Sequence, residues 1–271
     1  YFPYVPNGHY EALGRDLSDA TQPFTEVIAV KSEPELDRIR AAAALTDRCM
    51  EVIAEEAAPG VSEVDLQRAI DRALFDEAGG RGTTFITAGP MEGGEPGATM
   101  PWHKPSSRPI QSGDVITTEV GAAYRGYRSQ IHRPFTVGRG PTPEWEAIWA
   151  LLEETYRSML DSIRPGNTAK DLYEAVAPIE NSEYKMYDVL VHGYGNGILP
   201  PLLGTDRSEY WPGGDDRITA EWTFEPGHVM AVQPNVVTED ERLGMQLGAV
   251  VVVRDGSPEV LQEYPLEFGL V

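Results

Sequence analysis

A twelve-residue segment occurs twice in the chain, and this repeat restricts the possible folds more than any other feature. PGVSEVDLQRAI at residues 59–70 matches PGNTAKDLYEAV at residues 165–176. In each copy a Ser or Thr precedes Asp-Leu, which is typical of a capped helix start. Each copy also follows a long helical pattern and precedes a strand pattern. Apart from a chance similarity of two capped helices, the repeat indicates a duplicated unit and predicts two pseudo-symmetric αβ halves around one sheet.

The periodicity of the rest of the chain predicts the same order of elements in both halves. We predict helices at 32–57, 62–78, 142–163 and 168–180. We predict strands at 83–89, 114–124, 126–138, 186–195, 228–237, 245–254 and 259–263. Two long loops, at 89–113 and 196–226, separate strands, and loops of this length are often functional.

Charge and composition exclude several classes of partner. The chain has 271 residues, with 22 Lys and Arg against 43 Asp and Glu, a formal charge of −21. Nucleic acids and anionic membranes bind basic surfaces, so we expect neither as a partner. No apolar run approaches the roughly 18 residues of a membrane span. The single cysteine, Cys49, cannot form an internal disulfide, which favours the cytoplasm.

The N-terminal residues differ in composition from the rest of the chain. Residues 1–26 contain three prolines in mixed polar sequence, and the first residue is Tyr1 rather than Met. We expect residues 1–26 to be the trailing end of an N-terminal domain that is missing here. Residues 27–271 are then expected to form one catalytic domain of a size that buries a core.

One predicted strand, in YRGYRSQIHRPFTVG at residues 124–138, has an unusual polar face. Side chains alternate between the two faces of a strand, so Arg128, Gln130 and His132 share one face. A face that packs against a core does not usually carry Arg, Gln and His. This face is therefore either solvated or the lining of a site, and it contains no carboxylate.

Five segments resemble one known family in order and spacing. They are KSEPELDRIRAAAALTD, HKPSSRPIQSGDVITTEVGAAYRGYRSQIHRPFTVG, VHGYGNGI, EPGHVMAVQPNV and VVVVRDGSPEVL. Over about residues 27–265 the chain resembles the pita-bread family of methionine aminopeptidase, prolidase and creatinase. The resemblance implies an α+β pita-bread fold, in which two pseudo-symmetric αβ halves surround a curved antiparallel sheet.

The resemblance also implies where metal ligands would lie. Peptidases of the family hold two divalent metals with two Asp, one His and two Glu. The matching positions here are Glu119, Gln130, His192, Gln233 and Gly248, with Leu247 as the alternative for the last. Two hard cations at close range need several anionic oxygens, so we predict neither a dinuclear metal site nor another cofactor. One metal on Glu119 and His192 remains open, and a further family histidine corresponds to Leu199.

Creatinase-like members of the family lack the metals and break a C–N bond with side chains alone. Their catalytic histidine matches His103, in HKPSSRPIQSGD. The glutamates that bind creatine correspond to His132 and Gln233, so creatine is not the expected substrate. We predict catalytic roles for His103, Glu119, His132 and His192, and substrate binding by Gln130, Gln233 and Tyr194.

The expected activity is a metal-independent hydrolysis of an amide- or amidine-type C–N bond in a small polar molecule, with elimination or ring chemistry left open. A homodimer is expected from the same resemblance. One alternative is an Xaa-Pro-type metallopeptidase with a degraded or single-metal site. The other is a non-catalytic binding protein that retains pocket histidines.

Overall fold

The computed structural model describes residues 8, 11–12, 21–93, 105–197, 199–204 and 222–271. The helices are α1 (Thr21–Ala29), α2 (Glu33–Glu56), α3 (Glu63–Asp76), α4 (Pro143–Ser162), α5 (Ala169–Ala175) and α6 (Ala177–Glu180). The strands are β1 (Gly80–Pro90), β2 (Asp114–Tyr124), β3 (Tyr127–Ile131), β4 (Phe135–Thr136), β5 (Val191–Gly193), β6 (Leu199–Leu203), β7 (Val229–Val232), β8 (Asn235–Val237), β9 (Gly244–Gln246), β10 (Ala249–Val252), β11 (Glu259–Val260) and β12 (Gly269–Leu270). The fold is thus the predicted mixture of helices and largely antiparallel sheets.

Each half has its own sheet and its own core. In the first half β1, β2, β4 and β12 lie side by side, and β3 pairs with β2. In the second half the strand order is β11-β10-β7-β5-β6, and β8 and β9 form a separate hairpin. One core cluster contains α2, α3 and the inner face of the first sheet, including Ile70, Ile116 and Phe135. The other contains α4 and the second sheet, including Trp145 and Met230.

The repeated segment forms the same structure in both halves. Gly60 and Gly166 both have left-handed φ values, of 98° and 89°, which a residue without a Cβ adopts readily. Gly60 N donates to Ile110 O at 2.9 Å, and Gly166 N donates to Phe224 O at 3.0 Å. The turns that lead into α3 and α5 therefore make equivalent hydrogen bonds, one to the segment before β2 and the other to the segment before β7.

The equivalence continues into the strands that carry polar side chains. Gly113 and Gly227 both have a φ of 91°. Gly113 N donates to Val137 O at 2.8 Å, just after β4, and Gly227 N donates to Val253 O at 3.0 Å, just after β10. Glu119 and Gln233 each follow these glycines by the same number of residues. The two side chains therefore occupy matching positions in the two halves.

One residue from each half forms an isolated antiparallel β-bridge between the two half-sheets. His132 N donates to Gly248 O at 3.1 Å, and Gly248 N donates to His132 O at 3.4 Å. A Cβ on Gly248 would come within 2.3 Å of Val232 O, so only glycine allows this approach. His132 thus lies where the two halves touch.

Several strands are shorter than the sequence predicts. The predicted strands at 126–138 and 228–237 are each interrupted at a proline, Pro134 and Pro234, because proline has no N–H for the ladder. The predicted strand 186–195 is reduced to β5, and the predicted loop 196–226 contains β6. No helix in the described part of the chain is long and apolar enough to cross a membrane.

Candidate active site

Glu119 and His132 approach each other at the contact between the two halves. Glu119 lies in the middle of β2, and its Oε2 is 3.7 Å from His132 Nε2. The Glu119 side chain is 17% exposed and that of His132 is 0% exposed, so the pair is largely buried. Neither ring nitrogen of His132 has a hydrogen-bond partner in the described structure. Buried polar atoms without partners are costly, so a bound molecule would stabilise this imidazole by pairing with it.

Two glutamine side chains join the halves beside this pair. Gln130 Nε2 donates to Gln233 Oε1 at 2.6 Å, and Gln233 Nε2 donates to Val189 O at 3.0 Å. Both glutamines are buried. This neutral amide chain therefore lies where the resemblance implies two carboxylates.

His192 and Tyr194 complete the wall formed by the second half. His192 lies on β5, and its ring contacts that of Tyr194 edge to face, with 5.1 Å between the centroids. Burial lowers the pKa of His192, although the charge of Glu119 partly opposes this effect. The imidazole is therefore neutral near pH 7. Burial raises the pKa of Tyr194, and Glu119 raises it further.

Asp188 is a carboxylate of this site that the sequence did not identify. Burial and the negative charge of Glu119 raise the pKa of Asp188 to about 7, although a hydrogen bond from the backbone partly opposes this rise. At neutral pH this carboxyl group therefore exchanges a proton readily. Asp188 is three residues before β5, in a stretch that the sequence periodicity predicted to be a regular strand. Its closeness to Glu119 depends on contacts between the two halves, which the periodicity does not predict.

The amide of Asn235 fixes the backbone at Asp188. Asn235 Oδ1 accepts hydrogen bonds from Tyr187 N at 3.0 Å and from Asp188 N at 2.8 Å. Its Nδ2 donates to Gln233 O at 3.1 Å. Asn235 therefore holds Asp188 and Gln233 in one arrangement, and it too was missed by the sequence analysis.

Most of the predicted site residues lie together. The described site contains Glu119, Gln130, His132, His192, Tyr194 and Gln233. The predicted catalytic His103 lies outside the described residues, so its role stays a prediction.

Neither residue at the predicted fifth family position offers a metal-ligating side chain, and the polar side chain nearby belongs to Gln246. Gly248 has no side chain and contributes backbone contacts to His132, and Leu247 packs in the core of the second half. Gln246, between Met245 and Leu247, points to the opposite face, and its buried Nε2 has no partner in the described structure. The polar residue of this strand is therefore Gln246.

The donor groups do not match a pair of divalent cations. Gln130 and Gln233 are neutral and hydrogen bonded to each other, which leaves Glu119 as the carboxylate among the family positions. Among the residues that the structure describes, no three His, Cys, Asp or Glu side chains are grouped so that they could hold a metal ion. Divalent metals of this class require several anionic oxygen ligands.

Comparison with known proteins shows which family the chain belongs to. A family model for metallopeptidase family M24 matches residues 37–255. The chain is 28% identical over 262 residues to a probable dipeptidase, PepE, from Mycobacterium tuberculosis, covering 96% of this chain and 66% of the relative. It is 27% identical over 235 residues to an uncharacterized peptidase from Staphylococcus aureus, covering 87% of this chain and 63% of the relative. The chain thus spans about two thirds of the length of these relatives.

Solved structures show the same fold. A prolidase from Pyrococcus horikoshii superposes with a TM-score of 0.81 at 21% identity, covering 99% of this chain and 74% of the prolidase. An X-Pro aminopeptidase from Thermotoga maritima also gives a TM-score of 0.81, at 19% identity, covering 98% of this chain and 72% of the other. At these identities the likeness concerns the fold. Together with the family match, it shows that the chain belongs to metallopeptidase family M24, a family of hydrolases with the pita-bread fold.

Proposed function

We propose that this chain hydrolyses an amide- or amidine-type C–N bond of a small polar molecule, by proton transfer between side chains and without a pair of metal ions. The observation that carries the proposal is the replacement of anionic ligands by the Gln130–Gln233 amide pair, next to a retained Glu119 carboxylate. A site of this kind keeps acid–base groups but lacks the charge that two cations require.

Glu119 is the proposed general base. Its carboxylate lies beside His132, whose two unpaired ring nitrogens supply hydrogen-bonding positions for water or substrate. Deprotonation of a water by Glu119 would give the attacking oxygen, and cleavage of the C–N bond requires a proton on the departing nitrogen. Asp188, with its pKa raised to about 7, is protonated in part of the molecules at neutral pH and is a suitable donor. The predicted His103 is a second candidate for this transfer.

The amides and Tyr194 are proposed to position the substrate. Gln130 and Gln233 already donate to fixed acceptors, so their orientation is determined before a substrate arrives. Groups that are preorganised in this way stabilise developing charge without reorganising during the reaction.

A second candidate function is hydrolysis of Xaa-Pro or other dipeptides with one metal ion or a degraded metal site. It is favoured by the relatives, since the Mycobacterium tuberculosis protein is named a probable dipeptidase and two solved structures with this fold are a prolidase and an X-Pro aminopeptidase. A dipeptide is itself a small polar molecule with a C–N bond. The two candidates therefore differ mainly in the need for metal.

Replacement of Glu119 by Gln tests the proposed base. Glu119→Gln keeps the shape of the side chain but removes the charge, and we expect kcat to fall at least about 100-fold for any substrate found in a panel of dipeptides, N-acyl amino acids and cyclic amidines. Glu153→Gln, on the surface of α4, is the matched control and should leave kcat unchanged. Turnover by Glu119→Gln at the wild-type rate would remove Glu119 from the mechanism.

The proposals for the oligomeric state and the cellular compartment rest on the sequence alone. We propose a homodimer that acts in the cytoplasm on a small-molecule substrate. The compartment is proposed because the single cysteine, Cys49, cannot form an internal disulfide. Light scattering of the full-length protein would test the dimer.

A further inference from the structure

The match between the two halves extends beyond Glu119 and Gln233. Two residues further along each segment, Gly121 of β2 corresponds to Asn235 at the start of β8. Gly121 has no side chain, whereas Asn235 is a polar residue with 0% exposure. The two positions therefore differ in what they place between neighbouring segments of the backbone.

In the first half, Gly121 lies opposite a β-bulge. The register of β1 against β2 shifts between Arg81 and Thr84, because residues 82–83 face Gly121 alone. A Cβ on Gly82 would come within 2.3 Å of the carbonyl carbon of Gly121, so the two backbones are in close contact. The strands touch here without an intervening side chain, and we call this arrangement the closed bulge.

The second half has a bulge at the equivalent place. Gln233 N donates to Leu190 O at 2.8 Å, and backbone pairing resumes at the bridge between Lys185 and Val237. The segment before Leu190 has one residue more than the segment after Gln233. Asn235 is the middle residue of the shorter segment and therefore faces this bulge.

The side chain of Asn235 fills the second bulge. Its Oδ1 accepts from Tyr187 N at 3.0 Å and from Asp188 N at 2.8 Å. Its Nδ2 donates to Asp188 O at 3.3 Å and to Val189 O at 3.4 Å. It also donates to Gln233 O at 3.1 Å. One amide thus pairs with backbone groups on both sides and holds this segment in what we call the open bulge.

The residues within the two bulges differ in exposure. Thr83 precedes by two residues the partner of Glu119 in the sheet, and Asp188 precedes by two residues the acceptor of Gln233 N. Thr83, in the closed bulge, is exposed. Asp188, in the open bulge, is 8% exposed and interacts with the charge of Glu119. The open bulge therefore accompanies a carboxyl group that is turned inward.

We propose that Asn235 is a positioning residue of the candidate site, which holds the open bulge and so directs the Asp188 carboxyl group towards Glu119. β-Bulges are common beside active sites, where they set the direction of a side chain. The amide of Asn235 acts through the backbone on both sides of Asp188. The inference rests on the proposed function, because Asp188 is the proton donor proposed for the same site.

Asn235→Gly tests this role, because glycine is the residue at the matching position of the first half. We expect the backbones to close as they do at Gly121, and the Asp188 carboxyl group to turn to solvent. Asn235→Asp keeps an acceptor for the two N–H groups but loses the donor. It should act in the same direction and replaces the glycine variant if that variant does not fold. Asn181→Gly, at an exposed asparagine after α6, is the matched control.

A double-mutant cycle with Asp188→Asn separates positioning from a general structural role. Asn235→Gly should lower kcat at least about 10-fold when Asp188 is present, but by less than about 2-fold in the Asp188→Asn background. Asn181→Gly should leave kcat unchanged in both backgrounds. Equal losses of kcat in the two backgrounds would overturn the inference.

The titration of Asp188 gives a readout that needs no substrate. It is followed by carbon NMR of isotopically labelled aspartate, and the signal is assigned by its loss in Asp188→Asn. The pKa of about 7 in the wild type should fall towards the model-compound value of 3.8 in Asn235→Gly and stay unchanged in Asn181→Gly. An unchanged pKa of Asp188 in Asn235→Gly would contradict the positioning role. A lowered pKa together with no hydrolysis of any substrate in the panel would support Asn235 and contradict the proposed activity.

Discussion

After burial, the charge of Glu119 influences the pKa values of the residues around it. Its negative charge contributes to the raised pKa values of Asp188 and Tyr194 and opposes the lowered pKa of His192. These three side chains belong to the second half of the molecule, whereas Glu119 belongs to the first. One carboxylate of the first half therefore influences the pKa values of three groups in the second half.

Asp188 should make the stability of the protein depend on pH. Its pKa rises from the model-compound value of 3.8 to about 7 on folding, so the folded state holds this proton more tightly. The stabilisation is complete below pH 4 and is lost as the pH rises through 7. Asp188→Asn cannot ionise, and we expect the free energy of unfolding of the variant, relative to wild type, to increase by roughly 2–4 kcal/mol between pH 4 and pH 8.

Urea unfolding at a series of pH values measures this difference, and Asp161→Asn, a change at an exposed position on α4, is the control. A constant difference between Asp188→Asn and wild type across that range would show that Asp188 titrates normally.

Strand alternation grouped several residues of the candidate site, but the raised pKa of Asp188 could not be predicted from the sequence. Gln130 and His132 could be placed together because strand alternation is a local property. Asp188 was missed because its raised pKa depends on burial and on Glu119, which lies far away in the chain.

At the scale of elements, the duplicated helix starts are the parts that local sequence specifies best. The Ser62 hydroxyl accepts from Asp65 N, and Asp65 Oδ2 accepts from Ser62 N at 3.2 Å. Thr168 and Asp171 form the same capping box at the start of α5. The sequence predicted both starts, whereas β6 and the interrupted strands depend on proline positions and on pairing with distant strands.

Removal of either cap should have a similar effect. Ser62→Ala leaves Asp65 N without its side-chain acceptor, and Thr168→Ala removes the hydroxyl that donates to Asp171 Oδ2 at 3.0 Å. We expect each to lower the free energy of unfolding by about 1 kcal/mol. Ser158→Ala, within α4, serves as the control for a helix hydroxyl that is not a cap. If Ser62→Ala lowers the free energy of unfolding by the expected amount and Thr168→Ala does not change it, the two copies of the repeat do not have equivalent structural roles.

At the scale of the whole molecule, Arg133 ties the two halves to the C-terminal segment. Its Nη1 donates to His132 O and to Gly248 O, both at 2.8 Å, and its Nε donates to Pro265 O at 2.8 Å. The guanidinium is buried, and burial lowers its pKa. Arg133 thus satisfies the carbonyl oxygens of the residue pair at which the half-sheets meet.

Lysine cannot reproduce these hydrogen bonds, because it lacks the planar fork of arginine. We expect Arg133→Lys to lower the free energy of unfolding by about 2–4 kcal/mol through unpaired buried carbonyl groups. Arg157→Lys, at an exposed salt bridge on α4, should change it by less than about 0.5 kcal/mol. Denaturant unfolding compares the two, and equal small effects would contradict a structural tie at Arg133.

The central claim is that this member of the family hydrolyses its substrate without a pair of metal ions. Measuring the metal content of the protein together with its turnover tests this claim most directly. Protein purified without chelator is analysed for divalent metals, and hydrolysis is then assayed with and without chelator. The variant carrying both Gln130→Asp and Gln233→Glu, which restores two carboxylates, is the reference for a metal-binding site. We predict well under one divalent ion per wild-type chain, turnover that is insensitive to chelator, and increased metal binding by the variant. One or two ions per wild-type chain, with turnover lost on chelation and recovered on adding metal back, would contradict the account.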